Sequence, residues 1–228
     1  MESQGEIIVG IVGQWASGKS TASRTLVDYL GGEGEVVFIN DQILLIGQAV
    51  KYFLELENSD VEFSTEGDGR QRLDSEQATV WLSPGVDLET ADLSTVSFNT
   101  YEDVVLWDWI NGSRLELGHQ ICERSAEGKH IVVEAGFGTN QEPIGENPFS
   151  HTISDLFKRL EEAGLESKRV KWIIIEADYK KRLERNKKRR IVVPKDLFEK
   201  YAADGGYLEP NEQIRLEEHG PIIKRVLN

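Results

Sequence analysis

Sulfur is scarce in this chain, and positive charge is outweighed. A single cysteine, Cys122, excludes an internal disulfide, which suits a chain kept in a reducing cytosol. It lies in the helical-looking stretch Leu117–Cys122 and reads as a core residue. The four histidines, at 119, 130, 151 and 219, form no close pair, so no zinc-type ligand spacing is present. No apolar run is long enough to span a bilayer. Met1-Glu2-Ser3-Gln4 has neither the basic nor the apolar region of a signal peptide. The expectation is a cytoplasmic protein with no membrane partner. Lysine and arginine number 26 against 40 acids, for a net charge of −14. That balance tells against a long nucleic-acid footprint and against an anionic membrane surface, while leaving room for a local basic site. There is no internal repeat and no low-complexity segment.

What remains is ordinary globular material: 39% hydrophobic and 29% charged residues in a chain of 228, enough for one α/β domain with an insertion. Its organising stretch is Gly13-Gln14-Trp15-Ala16-Ser17-Gly18-Lys19-Ser20-Thr21, which fits G-x-x-x-x-G-K-[ST], the P-loop or Walker A pattern. The apolar run Glu6–Val12 before it reads as a buried parallel strand. Lys19–Leu30 after it reads as a helix, with Ala22, Leu26 and Leu30 on one face. Glycines at 13 and 18 allow a tight turn whose amides point inward at a polyphosphate, and the helix start adds its dipole. Lys19 would then reach the terminal phosphates and Ser20 would ligate Mg²⁺. The pattern implies a nucleoside triphosphate without saying what is done with it.

Further along, Glu35–Ile39 reads as a second strand, and Ile43 to about Leu56 as a helix. Residues 55–103 change character, with thirteen acids against Arg70 and Arg72, and with loop signals at Ser64–Gly69 and Ser83–Gly85. Asn99–Glu127 reads as largely helical, interrupted at Gly112 and Gly118. Residues 42–128 are therefore expected to form an acidic, largely helical insertion that binds the acceptor. Lys129–Glu134 and Val170–Glu176 read as further strands, Ser154–Ala163 as a helix, Asp178–Arg190 and Lys195–Ala203 as helices, and Pro221–Leu227 as a fifth strand. The alternation implies a mainly parallel sheet covered on both faces, with ligands at its carboxyl edge.

Four features at that edge could carry chemistry. Asp41, directly after the second strand, could accept the proton of an attacking hydroxyl, or could simply cap the following helix. Glu134, at the end of the third strand, could hold Mg²⁺ beside Ser20, or could face solvent. Lys180–Arg190 carries eight basic residues and one acid, with Arg182, Arg185 and Arg189 on one helical face. Such a run could clamp a transferring phosphoryl group, or could be a solvated surface. Trp81, Trp107 and Trp109 could stack on a ring or pack in the core. Arg70, Arg72, Arg114 and Arg124 could meet an acceptor phosphate or be surface charges.

Arg185-Asn186-Lys187-Lys188-Arg189, followed by Val193-Pro194-Lys195-Asp196-Leu197 and Tyr201, resembles the lid of the phage-type polynucleotide 5′-hydroxyl kinases. That group stands with zeta-toxin-like and other small P-loop kinases. The resemblance covers the loop, strands two to four and the lid, about half the chain, and leaves 42–128 unmatched. It implies a single three-layer αβα P-loop domain over 1–228, a sheet in the order 2-3-1-4-5, and a short basic lid over 178–203. It implies Asp41 as general base, lid arginines on the ATP phosphates, and ATP and Mg²⁺ as cofactors.

The leading expectation is a kinase that moves the γ-phosphoryl group of ATP to a hydroxyl of a small metabolite, nucleoside or nucleotide. Lys19, Asp41, Arg185 and Arg189 would be catalytic. Residues 13–21 with Arg182 would bind the nucleotide, and Ser20 and Glu134 the metal. Polynucleotide 5′-hydroxyl phosphorylation is disfavoured by the acidic charge. The P-loop is equally compatible with a nucleoside monophosphate kinase or a regulatory NTPase. Against the NTPase, Asn186-Lys187-Lys188-Arg189 lacks the aspartate of a guanine-reading Asn-Lys-x-Asp.

Overall fold

The structure, a computed structural model, describes residues 7–14, 16–136, 153–166, 169–188, 198 and 222–227. Trp15, Arg189, Val193–Leu197 and Tyr201 lie outside the described residues, and with them most of the expected lid.

The parallel sheet grows from five runs rich in β-branched and aliphatic residues: β1 (Ile8–Gly13), β2 (Val36–Asn40), β7 (His130–Gly136), β8 (Val170–Glu176) and β9 (Ile222–Leu227). They lie side by side as β2-β7-β1-β8-β9, all parallel. In chain-order numbering this differs from 2-3-1-4-5, because four strands of another sheet intervene between β2 and β7. Among the five parallel strands themselves the succession is second, third, first, fourth, fifth.

Alternate side chains of β1, β2, β7 and β8 enter opposite layers. Ile8, Val12, Ile131, Val133 and Ile174 face α3 (Asp103–Ser125) and α4 (Ile153–Glu162), where Leu117, Ile121, Leu156, Phe157 and Leu160 fill the core. Val9, Ile11, Val132 and Ile175 face Ala22, Leu26 and Leu30 around α1 (Lys19–Tyr29). Each fully buried aliphatic of this kind contributes roughly 1.5–3 kcal/mol. Helices therefore cover both faces, and α5 (Tyr179–Asn186) follows β8.

The insertion is helical at both ends, and between its helices stand strands that were not expected. It is α2 (Asp41–Glu55), then an antiparallel sheet of β3 (Glu62–Thr65), β4 (Gln71–Asp74), β5 (Ala78–Leu82) and β6 (Ser97–Thr100), and then α3. The strand signal lies in short alternations. Leu73, Ala78, Val80 and Leu82 point inward against Ile46, Val50, Phe53 and Trp109, while the acids of the segment line the outside. Hairpins at Glu66–Arg70 and Ser75–Ala78 fold the strands back. Runs of four and five residues between loop signals are too short for period to separate strand from loop.

Gly112 and Gly118 do not interrupt α3, which is continuous through both. A Cβ on Gly118 would come 2.5 Å from Ala163 Cβ, and one on Gly112 would come 2.6 Å from Gln48 Oε1. These glycines mark where α4 and α2 approach the helix, not where it breaks. Among the described residues no helix is long and apolar enough to cross a membrane.

Candidate active site

β1 ends at Gly13 and the chain turns immediately toward α1. A Cβ on Gly13 would meet Ile175 O at 2.4 Å and Ser17 Oγ at 2.7 Å, so only glycine lets the loop pass this close to β8. Gly18, at φ 108, is in the left-handed region that favours glycine, and Ala16 also has positive φ, at 59. Gly18 caps α1 without a side chain, and the first turn of the helix holds no acid. The N-terminal amides thus meet no protein anion from their own turn, the arrangement that accepts a bound phosphate.

Two cations close over this loop. Lys19 Nζ donates to the carbonyls of Gly13 at 2.8 Å and Gln14 at 3.1 Å. Arg185, from α5, donates from Nη1 to Ser17 O at 2.9 Å. The loop also takes a bond from Ser17 N to Gln14 O at 3.2 Å. Thr21 is exposed, one residue into the helix from Ser20.

Glu134, only 6% exposed, lies on β7 opposite Ile11 and Asn40. Both of its oxygens are held from α1. Ser20 Oγ donates to Oε1 at 2.8 Å, and Ser23 Oγ donates to Oε2 at 3.0 Å. A hydroxyl and a carboxylate in contact are hard oxygen donors of the kind Mg²⁺ takes. Mg²⁺ keeps several waters and needs no all-protein cage, so the lack of a larger carboxylate or imidazole cluster among the described residues is compatible with the fit.

Asp41 is not the helix cap. Asn40 caps α2, its side chain accepting from Gln42 N at 2.8 Å. Asp41 is the first helical residue, and its Oδ2 accepts the backbone N–H of Gly136. The residue keeps partial exposure, but its carboxylate end is enclosed, and desolvation pushes its pKa above the ordinary aspartate value. The Gly136 N–H, Lys19 and Arg114 oppose that shift, while Glu134 adds to it.

Arg114 is no surface charge. It is 2% exposed on α3, with Nη2 3.5 Å from Gly136 O. Its proximity to Asp41 could not be read from sequence, because the two residues stand seventy-three positions apart (114 − 41). Ser23 gave no sequence signal of its own, although its spacing of three from Ser20 placed both on one face of α1.

The remaining expected residues sort differently. Arg182 is 0% exposed, with Nε donating to Ala177 O at 3.0 Å and its guanidinium 5.8 Å from the rings of Tyr179 and Phe198. Burial lowers its pKa to about 10. It is packed into the base of α5, whereas Arg185, three residues on, reaches the loop. Trp107 and Trp109 are buried, and Trp109 packs on Tyr52 and Phe98. Trp81 is half-buried beside Arg72. Arg70, Arg72 and Arg124 pair with Asp68, Asp74 and Glu127. An open cavity of about 900 Å³ lies between α2 and the antiparallel sheet, lined in part by Tyr52, Arg72, Asp74 and Tyr101. Tyr52 is eleven positions along α2 from Asp41, roughly 16 Å at the helical rise, so this cavity is separate from the carboxyl-edge site.

Fold and site together define an α/β protein whose parallel sheet presents a glycine-bearing loop, a helix N-terminus and two carboxylates at one edge. No protein-family model matches the chain. No curated protein matches it in sequence. Among solved structures it is similar to an unliganded sugar kinase from Janibacter sp. HTCC2649, at 14% identity and TM-score 0.48, over 96% of this chain and 85% of that one. It is also similar to a chain of the wild-type Clp1p–Pcf11p complex, at 13% identity and TM-score 0.35, over 98% of this chain and 44% of that one. Likeness at this level assigns no activity, and the functional reading rests on the site.

Proposed function

We propose that the chain is an ATP- and Mg²⁺-dependent kinase that phosphorylates a hydroxyl of a small metabolite, nucleoside or nucleotide. The observation that carries this reading is the convergence of three strand ends: the Gly13–Gly18 loop after β1, Asp41 after β2 and Glu134 near the end of β7. Mg·ATP supplies the transferable γ-phosphoryl group and the divalent charge that offsets its oxygens.

The chain's own residues then divide the work. The loop amides and the start of α1 would hold the phosphates. Lys19 would exchange its bonds to the Gly13 and Gln14 carbonyls for phosphate oxygens. Ser20 and Glu134 would hold the cation, and Arg185 would turn from the Ser17 carbonyl to the transferring group. Asp41 would accept the acceptor's proton as its oxygen bonds to phosphorus and ADP leaves. A carboxylate with a raised pKa is a stronger base than ordinary aspartate, which suits that task. Residues 42–128 would supply the acceptor pocket, and 178–203 the lid.

Calorimetry with Mg·ATP on wild type and Lys19→Ala tests nucleotide binding. Mass spectrometry after incubation with a mixture of hydroxyl compounds identifies what gains phosphate. Binding by wild type only, with one compound phosphorylated, is the expected result. Equal binding by both proteins, or no acceptor-stimulated turnover, sinks the kinase reading.

A further inference from the structure

We propose that Ser23 is a positioning residue for the cation site: its hydroxyl holds Oε2 of Glu134 so that Oε1 alone is presented beside Ser20. The inference rests on the kinase reading above. Ser20 and Ser23 sit three apart on α1 and so share a face, and each takes one oxygen of the same carboxylate, at 2.8 and 3.0 Å. Ser23 is 0% exposed and Glu134 is 6% exposed, so solvent does not compete for that bond.

The length of the side chain gives the pairing its purpose. A glutamate has one more rotatable bond than an aspartate, and its carboxylate is correspondingly harder to fix at a strand end. Holding the second oxygen removes that freedom. Ser23 Oγ also lies 3.0 Å from the Lys19 carbonyl, but it has a single proton. The carboxylate is the stronger acceptor, so the bond goes to Glu134. The carbonyl is a reserve partner that keeps the hydroxyl satisfied when Glu134 is absent. Residues that orient a metal ligand in this way carry about 10- to 100-fold of metal affinity.

The test is a Mn²⁺ titration of the full chain with a non-hydrolysable ATP analogue, followed by electron paramagnetic resonance, beside thermal unfolding without metal. Ser23→Ala is expected to raise the Mn²⁺ half-saturation by about 10-fold or more. Analogue binding in EDTA should stay unchanged, and unfolding should shift little. In a Glu134→Gln background, where the anionic ligand is already gone, Ser23→Ala should add nothing further. Should Ser23→Ala fold poorly, the near-isosteric Ser23→Cys, a weak donor, should show the same loss. Wild-type Mn²⁺ affinity in a folded Ser23 variant overturns the positioning role while leaving the kinase reading standing. Failure of the wild type to bind the analogue, with or without metal, sinks the kinase reading and this inference with it.

Discussion

The carboxylate of Asp41 accepts the backbone N–H of Gly136, which ties the first turn of α2 to the last residue of β7 across ninety-five positions of sequence. An extended residue presents its N–H and C=O on the same side, so Arg114, at the Gly136 carbonyl, lies beside the same strand end. One peptide segment thus gathers the candidate base, a buried cation and, two residues earlier, the candidate metal ligand.

Asp41→Asn should leave ATP affinity nearly unchanged and lower phosphoryl transfer by roughly 10²- to 10⁴-fold. Steady-state kinetics with the true acceptor decide it. Wild-type turnover would remove Asp41 from the chemistry and favour an acceptor that is already ionised, such as a nucleotide phosphate.

The same substitution should change stability with pH. Folding raises the Asp41 pKa above 3.8, so the protonated form is the one the folded state favours. Its favourable contribution is complete below pH 3.8 and lost as pH rises through the folded value. Asp41→Asn should therefore gain on the wild type near neutral pH, with the gap closing as pH falls toward the ordinary aspartate range. Denaturant melts at several pH values measure it, and a gap that widens on acidification contradicts the direction of the shift.

Arg185 and Arg182 should behave oppositely. Arg185→Ala, which removes the cation on the loop, should lower kcat by roughly 10²- to 10³-fold with little change in unfolding midpoint. Arg182→Ala, which removes a buried side chain from between Tyr179, Phe198 and the Ala177 carbonyl, should destabilise by about 2 kcal/mol or more. Equal rate losses with equal stability in the two variants would put both arginines on the ligand.

Activity on a small acceptor should be nearly flat between about 50 and about 200 mM salt, whereas a polynucleotide acceptor would lose orders of magnitude over that range. Steady-state rates with both acceptor classes across the titration separate the two. A steep loss confined to an oligonucleotide 5′-hydroxyl would promote the polynucleotide kinase reading despite the net charge of −14.

Gly118→Ala should destabilise by about 1–3 kcal/mol, because the new methyl group meets Ala163 Cβ at 2.5 Å and the Leu160 carbonyl at 3.3 Å. In an open helix the same change stabilises by about 1 kcal/mol, so a raised melting temperature would mean that α3 and α4 are not in contact there.

The loop, its strand and its helix were legible in sequence because all of their determinants are local. Glycines at 13 and 18, a β-branched run before them and an apolar helical stripe after them are short-range signals. The strands at Val36, His130 and Val170 were legible for the same reason, since buried parallel strands read as largely apolar runs. Residues 62–100 were not, because runs of four or five residues become strands only by pairing with one another over α2. The site divided along the same line. Lys19, Ser20, Asp41 and Glu134 stand at strand ends that the chain order already placed at one edge. That Ser23 shares Glu134, that Arg114 is buried beside Asp41, and that Arg185 rather than Arg182 reaches the loop were decided by how α1, α3 and α5 dock on the sheet. Periodicity tells which face of a helix is apolar, but it does not tell which buried polar group will meet it there.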